Sequence, residues 1–143
     1  MSLKNLEHLH HFTFLIVAFL GVTATSSATV RVGGSSLRAN GQLAQGFQYT
    51  GSCPVALKFG WGVIGTAPTM LTYTFVRSDG GRQTSSATVN LPNANQSVPI
   101  YYDWQLGANT PQFQNYSGWV QLNIESPNTV QYKIPFTIRC GGN

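Results

Sequence analysis

Beyond residue 28, apolar and polar residues alternate with period two in one segment after another. That spacing belongs to strands with one face toward a core and the other toward water. Val55, Leu57, Phe59, Trp61 and Val63 share one face, with Lys58 on the other. Leu71, Tyr73 and Phe75 repeat the pattern, and Ala87, Val89 and Leu91 make a shorter run. Val98, Ile100, Tyr102, Trp104 and Leu106 alternate with Pro99, Tyr101, Asp103 and Gln105. Val120, Leu122 and Ile124 alternate with Gln121, Asn123 and Glu125. The last series is Val130, Tyr132, Ile134, Phe136, Ile138 and Cys140, with Pro135 and Arg139 among the residues out of phase. No stretch after residue 28 holds a helical period of 3.6 for useful length.

The turns punctuate the same plan. Ser78-Asp79-Gly80-Gly81 is suited to a hairpin, because glycine reaches positive φ cheaply. Ser126-Pro127-Asn128-Thr129 reads as another, with Pro127 fixing φ and Asn128 tolerating the left-handed region. Gly65–Pro68 and Leu91–Gln96 are loops, and Gly107–Gly118 is the longest. Residues 29–42 read as an extended, Gly-rich lead-in to a domain over 43–143. Strands are expected at about 43–50, 54–64, 70–77, 84–91, 97–106, 118–125 and 130–140. Seven short strands at this spacing predict an all-β, seven-stranded antiparallel β-sandwich. If they alternate in direction, the second begins and the seventh ends at one pole, bringing Cys53 toward Cys140. Pro135 suits an edge strand, where a missing N–H harms no ladder.

The first 28 residues read differently. Phe12–Val22 is an uncharged apolar run, about 16 Å long as a helix, against about 30 Å of bilayer hydrocarbon. Small residues follow, with Ser26 and Ala28 at the −3 and −1 positions of a cleavage site and Ala24 as a second option. The expectation is a signal helix over residues 1–28, removed on export and leaving no stable membrane anchor. Neither a lipid-anchor cysteine after the apolar run nor an apolar C-terminal tail is expected.

Composition then narrows the compartment and the partners. Past residue 28 lie Arg31, Arg38, Lys58, Arg77, Arg82, Lys133 and Arg139 against Asp79, Asp103 and Glu125, a balance of 7 − 3 = +4. These cations are scattered without a basic cluster, which argues against nucleic acid as a partner. The sparse charge leaves a surface of Ser, Thr, Asn, Gln and Gly, suited to a secreted or periplasmic setting. Cys53 and Cys140 are the only cysteines, and an even count in a small exported domain reads as one bridge.

The runs CPVALKFGW, LTYTFVRSDGG, GWVQLNIESPN and IPFTIRC resemble secreted bacterial domains of the immunoglobulin/fibronectin type III-like superfamily. The likeness spans about residues 47–140 and implies a sandwich in which Trp61 and Tyr73 form a core aromatic pair. The bridge departs from the inter-sheet disulfide of antibody domains, and no tyrosine corner is evident before the penultimate strand. Because this fold hosts many functions, the resemblance implies no ligand.

Candidate chemistry is sparse. His8, His10 and His11 all lie in the leader, so the domain itself has no imidazole for a Ser-His-Asp or Cys-His mechanism or for a His-ligated zinc. A glycosidase would need two of Asp79, Asp103 and Glu125 in one cleft, and no Asp/Asn cluster suits calcium. The chain is therefore expected to be no enzyme and to need neither cofactor nor metal. Tyr101 and Trp119 fall out of phase with their core faces, while Phe113 and Tyr116 ride the long loop. These four form the candidate binding surface, since aromatics stack on sugar rings and anchor protein interfaces. The expected function is a secreted interaction module for an extracellular or envelope protein or glycan. The alternative is a subunit of a surface fibre or pilus, self-assembling by addition of the β-prone Thr29–Leu37 strand. Asn95-Gln96-Ser97 and Asn115-Tyr116-Ser117 match the glycosylation sequon.

Overall fold

The computed structural model describes residues 26–107 and 111–141. The expected leader helix and the Ala24 cleavage option lie outside the described residues. None of the described helices is long and apolar enough to cross a membrane.

Among the described residues nine strands form two sheets, against the seven expected. In chain order they are β1 (Val30–Ala39), β2 (Gln42–Leu43), β3 (Gln48–Gly51), β4 (Val55–Gly65) and β5 (Thr69–Arg77). β6 (Ala87–Leu91), β7 (Ser97–Leu106), β8 (Asn115–Ser126) and β9 (Val130–Cys140) follow. The first sheet runs β2-β1-β4-β7 and the second β3-β9-β8-β5-β6. Their inner faces meet in one core that includes Leu37, Phe59, Trp61, Phe75, Leu122, Ile134 and Phe136. The result is an all-β, β-sandwich-like fold whose only described helical turns are short 3-10 segments at Gln45–Phe47 and Pro111–Phe113.

The alternation read from the sequence sets the inward phase of β4, β7 and β8. On β4, Val55, Leu57, Phe59, Trp61 and Val63 are all buried, while Lys58 is exposed. Trp61 packs on Phe75 with centroids 5.3 Å apart, and Tyr73 meets Phe75 at 5.5 Å. The expected aromatic pair is therefore a trio bridged by Phe75. Tyr132 is the outlier of β9, since it stays 38% exposed in the inward phase. It sits on an uncovered flank of that strand, with its hydroxyl 3.5 Å from Ser35 Oγ.

Several boundaries are corrected. The lead-in is a ten-residue strand, β1, paired antiparallel along β4 from Val30↔Gly65 to Ala39↔Leu57. A bulge between Val32 and Gly34 inserts one residue, so Val30 and Val32 face inward before it and Leu37 and Ala39 after it. The expected strand at 43–50 is split into β2, a 3-10 turn and β3. The pairing is not wholly antiparallel, because β3 runs parallel to β9, with Gly51↔Cys140 in register. β8 begins at Asn115, which shortens the long loop, and β6 begins only at Ala87.

The two poles are tied differently. The Cys53–Cys140 disulfide joins the start of β4 to the end of β9, with Cα atoms 5.4 Å apart and 87 positions between them in sequence. At the other pole Asn128 does not take the left-handed conformation expected of it. Its amide instead bonds to both backbone groups of Val30: Val30 N–H donates to Oδ1 at 2.7 Å, and Nδ2 donates to the Val30 carbonyl at 3.1 Å. This side chain thus occupies the free edge of β1 as a further strand would. Pro135 fits its edge expectation, since β3 pairs with β9 only from Thr137 onward and leaves that flank of Pro135 open.

Candidate functional site

The two outer faces carry the polar residues of the alternation, and they separate the four candidate aromatics. Tyr101 is on the outer face of the first sheet and is 54% exposed. It pairs across the sheet with Gly60, which pairs in turn with Ser36. A Cβ built on Gly60 would fall 2.8 Å from Ser36 Oγ and 3.1 Å from Tyr101 Cε1, so the ring lies over the space this glycine leaves. Gly34, Gly62 and Pro99 complete a shallow hollow beside it.

The adjacent cross-strand row on that face is Arg38–Lys58–Asp103. Lys58 Nζ is 2.9 Å from Asp103 Oδ1 and 5.3 Å from the centroid of Tyr101. Both partners of that ion pair are well exposed, so it adds little to stability. Arg38 donates one hydrogen bond to the Gly41 carbonyl and has no carboxylate partner among the described residues. Arg38, Lys58, Asp103 and Gln105 border a second hollow of about 490 Å³, next to the first.

Phe113 and Tyr116 lie together, but their rings turn toward the core. They meet at 5.2 Å, and Tyr116 continues to Trp104 at 6.0 Å and Phe136 at 5.8 Å. The Tyr116 hydroxyl is 2.6 Å from Ser78 Oγ, which accepts a hydrogen bond from Trp119 N–H. Tyr116 thereby pins the start of the penultimate strand to the β5–β6 turn, although no tyrosine corner was evident in the sequence. Arg77 closes the same end, with its guanidinium 4.5 Å from the Trp104 ring and bonded to both oxygens of Asp79. Trp119 is half-buried on the outer face of the second sheet, under Lys133 Nζ at 4.3 Å. It faces away from Tyr101, so the four aromatics do not form one surface.

The carboxylates are equally dispersed. Asp103 is on the outer face of the first sheet, whereas Glu125 accepts hydrogen bonds from Thr74 and Ser86 beside the second. Asp79 is bound to Arg77 and to the Gly81 N–H. No two of these acids share a cleft, so the paired-carboxylate geometry is not assembled. Among the described residues no three His, Cys, Asp or Glu side chains are grouped to hold a metal ion. The phase of Tyr101 in the sequence marks it as outward, as the structure has it, whereas the neighbours of Arg38 are set by a register that no local pattern reveals.

Comparison with protein-family models yields no match, and comparison with curated protein sequences yields none either.

Proposed function

We propose that this chain is an exported, non-catalytic recognition module of immunoglobulin/fibronectin type III-like architecture. It binds an extracellular or envelope partner, protein or glycan, through the outer face of the first sheet. The observation that carries this reading is Tyr101, a ring more than half exposed on the outer face of the first sheet, beside a hollow bordered by Gly34, Ser36, Gly60, Gly62 and Pro99. Large aromatics held rigidly beside open, shallow ground supply contact area at little entropic cost. The disulfide supports an oxidising compartment. The lack of histidine past residue 11 and the dispersal of the acids support binding rather than hydrolysis.

The loop aromatics enter this reading only as support, because Phe113 and Tyr116 are engaged in packing. The test is retention of the purified domain on the extracellular and envelope fraction of its native cells. Tyr101→Ala should abolish most of the retention, while Lys133→Gln on the opposite face should leave it intact. Equal retention of wild type and Tyr101→Ala would remove this face from consideration.

A further inference from the structure

We propose that the Tyr101 face binds an acidic saccharide, a pyranose that carries its own carboxylate as hexuronates do. The inference rests on the recognition reading above and assigns its ligand class. It begins from a conflict in the sheet. Arg38 and Lys58 are direct cross-strand neighbours on one outer face, an arrangement that like charges disfavour. Asp103 is the one acid in the row, and it bonds Lys58. The row therefore holds 2 − 1 = +1, with the guanidinium of Arg38 left over. Local rules broken without compensation concentrate at functional sites.

The geometry supplies the compensation. The hollow bordered by Arg38, Lys58 and Asp103 is of the size that holds a small ligand. An anionic oxygen placed there meets a guanidinium fork suited to carboxylates. One row along, the Tyr101 ring, more than half exposed, stands over Gly60 beside Ser36 Oγ, and the Ser97 hydroxyl lies over Gly62. A sugar ring against Tyr101 would thus set its carboxylate toward the Arg38 row. Gln105 and Ser36 border the two hollows and offer hydrogen bonds to hydroxyls. A neutral glycan would use the ring but bring no counter-charge to Arg38.

The experiment is calorimetric titration of the domain with oligomers of galacturonate, glucuronate and mannuronate, and with their methyl esters. Expected is binding of at least one acid form, weakened about ten-fold by esterification. Binding should weaken as salt rises from about 50 to 500 mM, as it does for charge-dependent contacts. Arg38→Gln should weaken it about five- to ten-fold and Tyr101→Ala about ten-fold, with unfolding midpoints recorded for each. Asp103→Asn, which releases Lys58, should tighten it about three-fold, a gain that misfolding cannot imitate. The acidic-saccharide inference is overturned if no oligouronate binds, if acid and ester bind alike, or if Asp103→Asn weakens binding. Retention on the native fraction that depends on Tyr101 but not on Arg38 would sink this inference while sparing the recognition face. Retention independent of both would sink both.

Discussion

The amide of Asn128 offers the sharpest test of how the fold is held. Val30 is only 4% exposed, and both of its edge-facing backbone groups bond to this one side chain. Asn128→Ala removes two hydrogen bonds, each worth about 1 kcal/mol net, and leaves a largely buried N–H and carbonyl poorly solvated. The expected loss is about 2–3 kcal/mol. For a domain of roughly 115 residues the unfolding entropy is about 0.24 kcal/mol/K, so the midpoint should fall by about 8–12 °C. Asn128→Asp keeps the acceptor for Val30 N–H but sets an oxygen against the Val30 carbonyl, and should be at least as damaging at neutral pH. Urea melts give the free energy, and amide exchange locates it. The Val30 amide should lose protection, while Leu37 and Ala39 should respond only through global opening. A cost below about 0.5 kcal/mol, or unchanged protection at Val30, would refute the clamp.

Three further outcomes follow from the packing. Reducing the Cys53–Cys140 bridge opens a loop of 87 positions, and its loss should cost about 2–5 kcal/mol by urea melts; an unchanged midpoint after complete reduction would contradict this. Leu37 is fully buried, so Leu37→Ala should cost about 2–5 kcal/mol, whereas a value under 0.5 kcal/mol would mean that β1 is not docked. Gly107 has φ +82° and a virtual Cβ 2.8 Å from Cys53 Sγ and 2.9 Å from Cys140 Sγ. Gly107→Ala should therefore destabilise the oxidised protein by about 1–3 kcal/mol. The penalty should shrink on reduction, when the sulfurs can separate, and a coupling of zero between the two perturbations would count against the contact.

Legibility in the sequence followed side-chain period. β4 and β7 were readable because their inward positions alternate without interruption, buried throughout on β4 and buried or half-buried on β7. β1 was not, because its bulge shifts the inward phase from the even positions of Val30 and Val32 to the odd positions of Leu37 and Ala39. Glycines and serines fill the interval and carry almost no hydrophobic signal. The start of β8 was hidden in a related way. Gly118 occupies an inward position without a side chain, and a Cβ there would collide with Ser78 Oγ and the Tyr116 ring. The glycine looked like a loop residue although it makes room for Tyr116. At the candidate site, phase alone marked Tyr101 as outward. That it stands near Arg38 depends on pairing between strands far apart in the chain, which local alternation does not encode.

The same pairing bears on self-assembly. A fibre built by donating β1 would require the strand to leave β4, withdraw Leu37 and Ala39 from the core, and break the Asn128 clamp. Pairing at a sheet edge needs no such loss, but two of the longer open flanks carry a proline. Pro99 is on β7, which lies at the edge of the first sheet, and Pro135 is on the stretch of β9 that β3 does not cover. Neither proline has an N–H to offer a neighbouring chain, a common means of blunting an edge. The purified domain is therefore expected to scatter light as a monomer at high concentration. Should copies associate, substitution separates the routes: exchange of β1 is promoted by Asn128→Ala, whereas edge pairing is promoted by Pro99→Val or Pro135→Val. An assembly insensitive to all three would require a contact that involves neither this strand nor these edges.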